Sequence, residues 1–176
     1  MISHTEKSCC FTGHRYIPDE KKQIIENKLR LEIGYLAEHG IDTFYAGGAL
    51  GFDTLAALSV LDYKKSRDIK LKLLLPCPDQ CRGWSRNDID VYEYIRSMAD
   101  CVRVLSEHYH GGVMHMRNRA LVDSSAYCIC YWDKDIASLT KGGTLYTVKY
   151  AKKLHRTVIN LCDDPPEDIQ LEFNFR

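Results

Sequence analysis

Three short glycine-bearing segments stand where an apolar run gives way to a helical pattern. They are 12–15 (Thr-Gly-His-Arg), 47–53 (Gly-Gly-Ala-Leu-Gly-Phe-Asp) and 141–144 (Lys-Gly-Gly-Thr). In a parallel α/β sheet every strand-to-helix junction lies on the same edge, so three such loops would meet at one crevice. Glycine lets backbone N–H groups approach a ligand closely, and helix N-termini supply unpaired donors and positive dipole ends. The pattern therefore predicts a phosphate-binding site.

Strand and helix patterns alternate along the whole chain. Apolar runs predict strands over 8–12, 42–46, 70–75, 101–105, 126–131 and 157–161. Helical periodicity predicts helices over 19 to about 39, around 55–61, over about 116–124 and over 143–154. A further helix, before the fourth strand, is predicted to turn Val91, Ile95 and Met98 inward. Loops are predicted at 106–113 and 132–141. Each crossover must return over the sheet, so we predict a three-layer, doubly wound α/β fold with a mainly parallel sheet. The single domain spans 1–162, and 163–176 form a C-terminal tail.

Composition limits the possible partners. Among 176 residues, Lys+Arg and Asp+Glu number 24 each, so the formal net charge is zero. Bulk electrostatic binding to nucleic acid or to an anionic membrane is therefore not expected. No apolar run approaches the ~20 residues that a membrane span needs, and the N-terminus lacks the pattern of a signal peptide. We expect a cytoplasmic protein.

Eight cysteines are many for that compartment. Those inside apolar runs are expected to be reduced and buried, namely Cys9, Cys10, Cys101, Cys128 and Cys130. Cys77 and Cys81 have the spacing of half a metal site, but no second pair accompanies them. His108, His110 and His115 lie close in sequence, although the glycines between them favour a mobile polar loop. We predict no metal and no cofactor.

The first two glycine segments carry candidate ligand-binding side chains. His14 and Arg15 follow Gly13, and arginine can bind two phosphate oxygens at once; the alternative is a surface arginine in a turn. The spacing Gly48-x-x-Gly51-x-Asp53 is close to a dinucleotide-binding fingerprint without matching it. Asp53 falls in the first turn of a helix, where a carboxylate either caps N–H groups or holds a ribose hydroxyl.

Further candidates follow the later strands. Arg117 and Asn118 are expected near a helix N-terminus at the same sheet edge, unless that helix simply begins with surface charges. Gly142 and Gly143 free the backbone before Thr144, whose hydroxyl serves either a ligand or the helix cap. Trp132 ends a strand beside the predicted crevice and is positioned to stack on a base. No P-loop and no Ser/His/Asp arrangement is present.

These motifs, in this order, resemble the YpsA-type proteins of the SLOG superfamily. The similarity rests on the segment 12–15, on Tyr-Ala-Gly-Gly-Ala-x-Gly-x-Asp at 45–53, on Met-Arg-Asn-x-x-Leu-Val-Asp at 116–123 and on Gly-Gly-Thr at 142–144 followed by Ala151. It extends from about Ser8 to Leu161. The Arg-Asn-Arg and Gly-Gly-Thr segments also resemble those of the DNA-processing DprA/Smf proteins, and the LOG phosphoribohydrolases are more distant.

The resemblance implies a Rossmann-like fold and a site for a nucleotide or an ADP-ribose-like ligand. The residues implied to line it are Gly13, Arg15, Gly48, Gly51, Asp53, Arg117, Asn118, Gly143 and Thr144, to which the loop positions add His14, Gly47, Trp132 and Gly142. A homodimer is expected from related folds. The interpretation we favour is a sensory or regulatory binding module.

Two alternatives stay open. One is a nucleoside 5′-monophosphate phosphoribohydrolase, although the catalytic glutamate of LOG enzymes has no counterpart in 143–148, leaving Asp53, Asp123 or Asp133 to replace it. The other is a single-stranded DNA-binding protein like DprA, which the zero net charge disfavours.

Overall fold

The computed structural model describes residues 5–139 and 142–162, and over these ranges six strands alternate with six helices. The strands are β1 (Ser8–Gly13), β2 (Thr43–Ala46), β3 (Lys70–Leu75), β4 (Cys101–Val104), β5 (Tyr127–Tyr131) and β6 (Thr157–Asn160). The helices are α1 (Asp19–Glu38), α2 (Phe52–Tyr63), α3 (Arg86–Met98), α4 (Val113–Asp123), α5 (Lys134–Leu139) and α6 (Thr144–Lys153).

The strands form one sheet in the order β4-β3-β2-β1-β5-β6, and every neighbouring pair is parallel. The chain moves outward from β1 to β4, and α4 then carries it back to β5 on the other side of β1. The order of the strands thus reverses between β1 and β5. In open parallel sheets, ligands bind outside the carboxyl ends of the strands at such a reversal.

Helices cover both faces of the sheet. On one face, α1, α2 and α3 pack buried side chains such as Leu29, Phe52 and Ile95 against strand residues that include Phe11 and Phe44. On the other face, α4 and α6 form a smaller cluster, whose members include Cys10, Leu121, Val122, Cys128 and Ala151. The predicted three-layer, doubly wound α/β fold is confirmed, and the sheet in the described ranges is wholly parallel.

Two element boundaries differ from the prediction. The segment predicted as a loop over 132–141 contains α5, because the Asp133 carboxylate accepts hydrogen bonds from the first N–H groups of that helix. Helix α4 begins at Val113 rather than near Met116, since Gly112 at its N-cap takes a left-handed conformation that turns the chain into the helix early. The loop before α4 therefore covers 105–112, one residue earlier than the predicted 106–113.

Two predictions of burial were wrong, and both concern the edge of the sheet. Met98 is 48% exposed, and Tyr92 takes the inward position beside Ile95. Cys101 is exposed because β4 is an edge strand, all four of whose residues are open to solvent. Within the described ranges, none of the helices combines the length and apolar character that crossing a membrane requires. The predicted tail 163–176 lies outside the described residues.

Candidate functional site

A cavity of about 430 Å³ opens at the carboxyl end of β1, beside the reversal of strand order. Its volume falls in the range of roughly 300–1,000 Å³ that is typical of small-molecule sites. The predicted site residues on its wall are Gly13, His14, Arg15, Asp53, Arg117, Asn118, Gly142, Gly143 and Thr144. The structure therefore brings together residues from all three glycine segments, although the first and the last lie more than a hundred positions apart in the sequence.

Asp53 and Arg117 hold the loop that follows β2. Asp53 Oδ2 accepts hydrogen bonds from the N–H groups of Gly47 (2.9 Å) and Ala49 (3.1 Å). The guanidinium Nη1 of Arg117 donates to the Gly47 carbonyl at 2.6 Å and lies 3.7 Å from Asp53 Oδ2. Both side chains are buried, with 9% of Arg117 and 8% of Asp53 exposed. Arg117, predicted near a helix N-terminus at this sheet edge, is the fifth residue of α4 and is buried.

Burial dominates the electrostatics of this pair. Loss of water raises the pKa of Asp53, while Arg117 and the two loop N–H groups oppose that rise. Loss of water likewise lowers the pKa of Arg117, and Asp53 opposes that change. Each charge thus compensates the other, as buried ions require. All of the hydrogen bonds that Asp53 makes in the described chain end on Oδ2, so Oδ1 is the oxygen left to meet a ligand.

The glycines of the second segment shape this loop and do not line the cavity. A Cβ at Gly47 would collide with the Arg117 guanidinium. Gly51 has φ 78°, and a Cβ there would collide with the Arg15 carbonyl. Gly48 lies against Leu75 and Gln80 and is not part of the cavity wall. Gly47 and Gly51 therefore bear on the site through the positions of Arg117 and Arg15.

The N-terminus of α6 points into the cavity. Its first internal hydrogen bond runs from the Thr147 N–H to the Gly143 carbonyl (3.0 Å), and no side chain caps it, so the earlier N–H groups have no partner within the helix. Asn118 faces this terminus: its Oδ1 accepts from Arg117 Nε at 2.8 Å, and its Nδ2 would lie 2.8 Å from a Cβ at Gly143. Asn118 is only 8% exposed, and its amide N–H groups make no hydrogen bond with the described residues.

His14 is fixed in one tautomer by Asp133. The Asp133 N–H donates to His14 Nε2 at 3.0 Å, and the Asp133 carbonyl, 3.2 Å from the same nitrogen, already accepts from Ala137. The neutral ring with its hydrogen on Nδ1 is therefore the form that satisfies the Asp133 amide. Burial also lowers the pKa of His14, which favours the neutral ring. His14 thus brings an uncharged imidazole to the cavity wall.

Trp132 is not brought to the cavity. Its backbone N–H donates to the Asn160 side chain at 3.0 Å, its carbonyl accepts from the same amide at 3.1 Å, and its indole N–H is buried with no acceptor among the described residues. The histidines at 108, 110 and 115 do not converge, and within 5–139 and 142–162 no three His, Cys, Asp or Glu side chains are grouped for a metal ion.

Sequence reasoning missed several wall residues. Thr12, Tyr16 and Met114 also line the cavity. Tyr16 could have been found from its position directly after Arg15, since a large aromatic residue in a loop at a strand end is commonly a binding residue. Met114 could not, because the helix that carries it was predicted to begin two residues later.

Comparison with known proteins agrees with this architecture. The sequence profile of YpsA, described as the YspA SLOG family, matches residues 10–163. UPF0398 proteins from Bacillus thuringiensis (strain Al Hakam) and Bacillus cereus (strain AH187) are each 25% identical over 134 residues, which cover 74% of this chain and 71% of theirs.

Two solved structures share the fold. One is DNA processing protein A from Helicobacter pylori, described for its single-stranded DNA binding mode, with a TM-score of 0.60 and 21% identity over 87% of this chain; the match spans 64% of that chain. The other is TM1055, a structural genomics target, with a TM-score of 0.53 and 15% identity over 86% of this chain and 71% of its own. With the profile match extending over nearly the whole sheet and all of the cavity wall, the chain belongs to the YspA SLOG family.

Proposed function

We propose that this protein binds a nucleotide or a nucleotide derivative of the ADP-ribose type, as a sensory or regulatory module. The observation that carries the proposal is the convergence of Arg15, the uncapped N-terminus of α6 and the Asn118 amide on one cavity at the reversal of strand order. A cation, a positive helix end and free amide donors together suit a phosphate group.

Each group has a separate role in this proposal. Arg15 is exposed at the cavity and contacts a phosphate, together with the α6 N–H groups and Asn118 Nδ2. Asp53 accepts a ribose hydroxyl through Oδ1. Arg117 is a positioning residue, since its Nε and Nη1 already donate to Asn118 and Gly47.

Calorimetric titration with ADP-ribose, AMP and ribose 5-phosphate tests the proposal. We expect at least one of them to bind, and Arg15→Ala to weaken it about tenfold or more, because a hydrogen bond to a charged group is lost. Arg86→Ala is the matched control, since Arg86 is an 87% exposed arginine on α3. Absence of heat with all three compounds, or equal affinity of the Arg15→Ala variant, would contradict the proposal.

A second candidate function is cleavage of an N-glycosidic bond. Asp53 is the one carboxylate among the described residues of the cavity wall; Asp123 instead accepts from the Tyr150 hydroxyl and Asp133 binds Lys21. A carboxylate there can stabilise the charge that develops on ribose or can activate water. Incubation with nucleoside monophosphates, followed by chromatography, should release free base from one of them, and Asp53→Asn should abolish the release. If no nucleoside monophosphate releases its base, this candidate is removed.

Single-stranded DNA binding is the third candidate, suggested by the DNA processing protein of similar fold. The zero net charge of this chain weighs against this candidate, because single-stranded DNA binding depends on a positively charged groove that follows the phosphates. A gel-shift assay at low salt with an unstructured oligonucleotide tests this candidate. We expect the protein not to retard the oligonucleotide.

A further inference from the structure

Two aromatic rings stand at the rim of the cavity on different walls. Tyr16 lies in the loop after β1, directly behind Arg15, and His115 is the third residue of α4. Tyr16 is 62% exposed, although its neighbour Ile17 is buried in the core. Neither ring is needed for the Asp53–Arg117 arrangement or for the phosphate groups proposed above.

The Tyr16 ring is left open. In the part of the chain that the structure describes, its hydroxyl makes no hydrogen bond and its ring meets no other aromatic ring. A large amphipathic ring that is exposed at a concave site is the kind of residue that gains most when a planar ligand covers it.

The His115 ring packs against the side chain of Tyr146 on α6. It meets the Tyr146 ring at 4.4 Å between centroids with an interplanar angle of 63°. The Tyr146 hydroxyl accepts from Arg119 at 3.3 Å, and its ring lies parallel to Tyr150 at 6.4 Å. This aromatic row along α4 and α6 fixes the orientation of His115 while the imidazole itself stays exposed at the cavity. A ring that is oriented before binding loses little entropy when a ligand covers it.

We propose that the cavity selects nucleotides over sugar phosphates, with the base lying against the Tyr16 and His115 rings and the phosphate reaching inward to Arg15 and the start of α6. This inference rests on the proposed function and adds to it the position of the base and the selection against sugar phosphates that lack one. Stacking a base on an aromatic side chain tolerates any base, because every base has a π face. The rim formed by Tyr16 and His115 takes the role that the sequence had suggested for Trp132.

The test compares AMP with ribose 5-phosphate, which carries the same phosphate and sugar but no base. Calorimetry on the wild-type chain should give AMP an affinity about tenfold or more above that of ribose 5-phosphate. Tyr16→Ala and His115→Ala should each reduce this ratio several-fold while leaving the affinity for ribose 5-phosphate unchanged. Tyr16→Phe, which keeps the ring, should preserve it. Tyr94→Ala, at a half-exposed tyrosine on α3, is the control for loss of a surface ring.

The outcomes separate the two proposals. If AMP, ribose 5-phosphate and ADP-ribose all fail to bind, the proposed phosphate site is overturned and the base position falls with it. If ADP-ribose alone binds, the base position is overturned and the phosphate site stands. If ribose 5-phosphate binds as tightly as AMP, the base does not lie on these rings and the phosphate site stands. The same conclusion follows if both alanine variants keep the wild-type ratio of AMP affinity to ribose 5-phosphate affinity. A fall in the affinity of both compounds in Tyr16→Ala and His115→Ala would likewise overturn the base position, since it would mean that the rings shape the whole cavity.

Discussion

The guanidinium of Arg117 donates to the carbonyl oxygen of Gly47 at 2.6 Å, and the same loop is held from its other side by Asp53. One contact thus joins α4, on one face of the sheet, to the turn that leads into α2 on the other face. The loop between β2 and α2 depends on a side chain seventy residues later in the sequence. A change to the buried Arg117–Asp53 pair should therefore alter both the loop after β2 and the cavity wall.

Removal of the Arg117 charge should destabilise the protein strongly. Arg117→Met leaves Asp53 buried without its cation, so we expect the free energy of unfolding to fall by about 3 kcal/mol. Asp53→Asn combined with Arg117→Met should cost at least about 1 kcal/mol less than the sum of the single changes, because the two residues share one interaction. Urea denaturation at pH 7 followed by circular dichroism measures both; additive losses would show that the charges do not interact.

Gly47→Ala should lower the free energy of unfolding, although it adds only one methyl group. The new Cβ would collide with the Arg117 guanidinium, so we expect a loss of about 2 kcal/mol by overpacking. Gly111→Ala is the control, since a Cβ at Gly111 meets no atom within 4 Å and the residue has no positive φ. Thermal or urea unfolding of the two variants checks this, and equal stabilities would refute the close approach of Arg117.

Asp133 should contribute more through the cap of α5 than through its ion pair. Its Oδ1 accepts from the N–H groups of Asp135 (2.9 Å) and Ile136 (3.4 Å), and its Oδ2 from Lys21 at 2.7 Å. Asp133→Ala should cost about 1.5 kcal/mol, typical of a lost N-cap. Lys21→Met should cost less than about 0.5 kcal/mol, because the lysine is 44% exposed and solvent screens the pair. Similar losses in the two variants would contradict this ranking.

His14 should make the protein less stable as the pH falls below about 6.5. Burial lowers the pKa of His14 in the folded chain, so between that value and 6.5 the unfolded chain binds the extra proton and folding is penalised. His14→Gln should therefore show a shallower loss of stability between pH 7 and pH 5 than the wild type. His108→Gln, at an exposed histidine, should keep the wild-type slope. Urea midpoints measured across this range give the comparison, and identical slopes for wild type and His14→Gln would be evidence against a buried neutral ring.

The fold and the position of the cavity could be predicted from the sequence. Alternating strands and helices leave few arrangements other than a doubly wound sheet, and that arrangement sends the segments around Gly13, Asp53 and Gly143 to one edge. What these residues bind, like the expected homodimer, stays a prediction.

The wrong predictions share a physical cause, since each depends on contacts distant in the sequence. The burial of Arg117 could not be foreseen either, because its partners, Gly47 and Asp53, come from another segment. Cys101 looks buried because an apolar run does not reveal that its strand ends up at the edge of the sheet. Helix α5 is the exception: Asp133 is a common N-cap residue, and that local signal could have predicted the helix.

The cavity wall draws on opposite halves of the chain, from the loop after β1 to the start of α6. The start of α6 lies more than a hundred residues after that loop, so the ribosome releases the first part of the wall well before the last. A fragment that stopped after β4 would carry Arg15 but neither the Asn118 amide nor the N-terminus of α6. A ligand that needed all three groups would therefore protect from proteolysis only those chains that extend through α6.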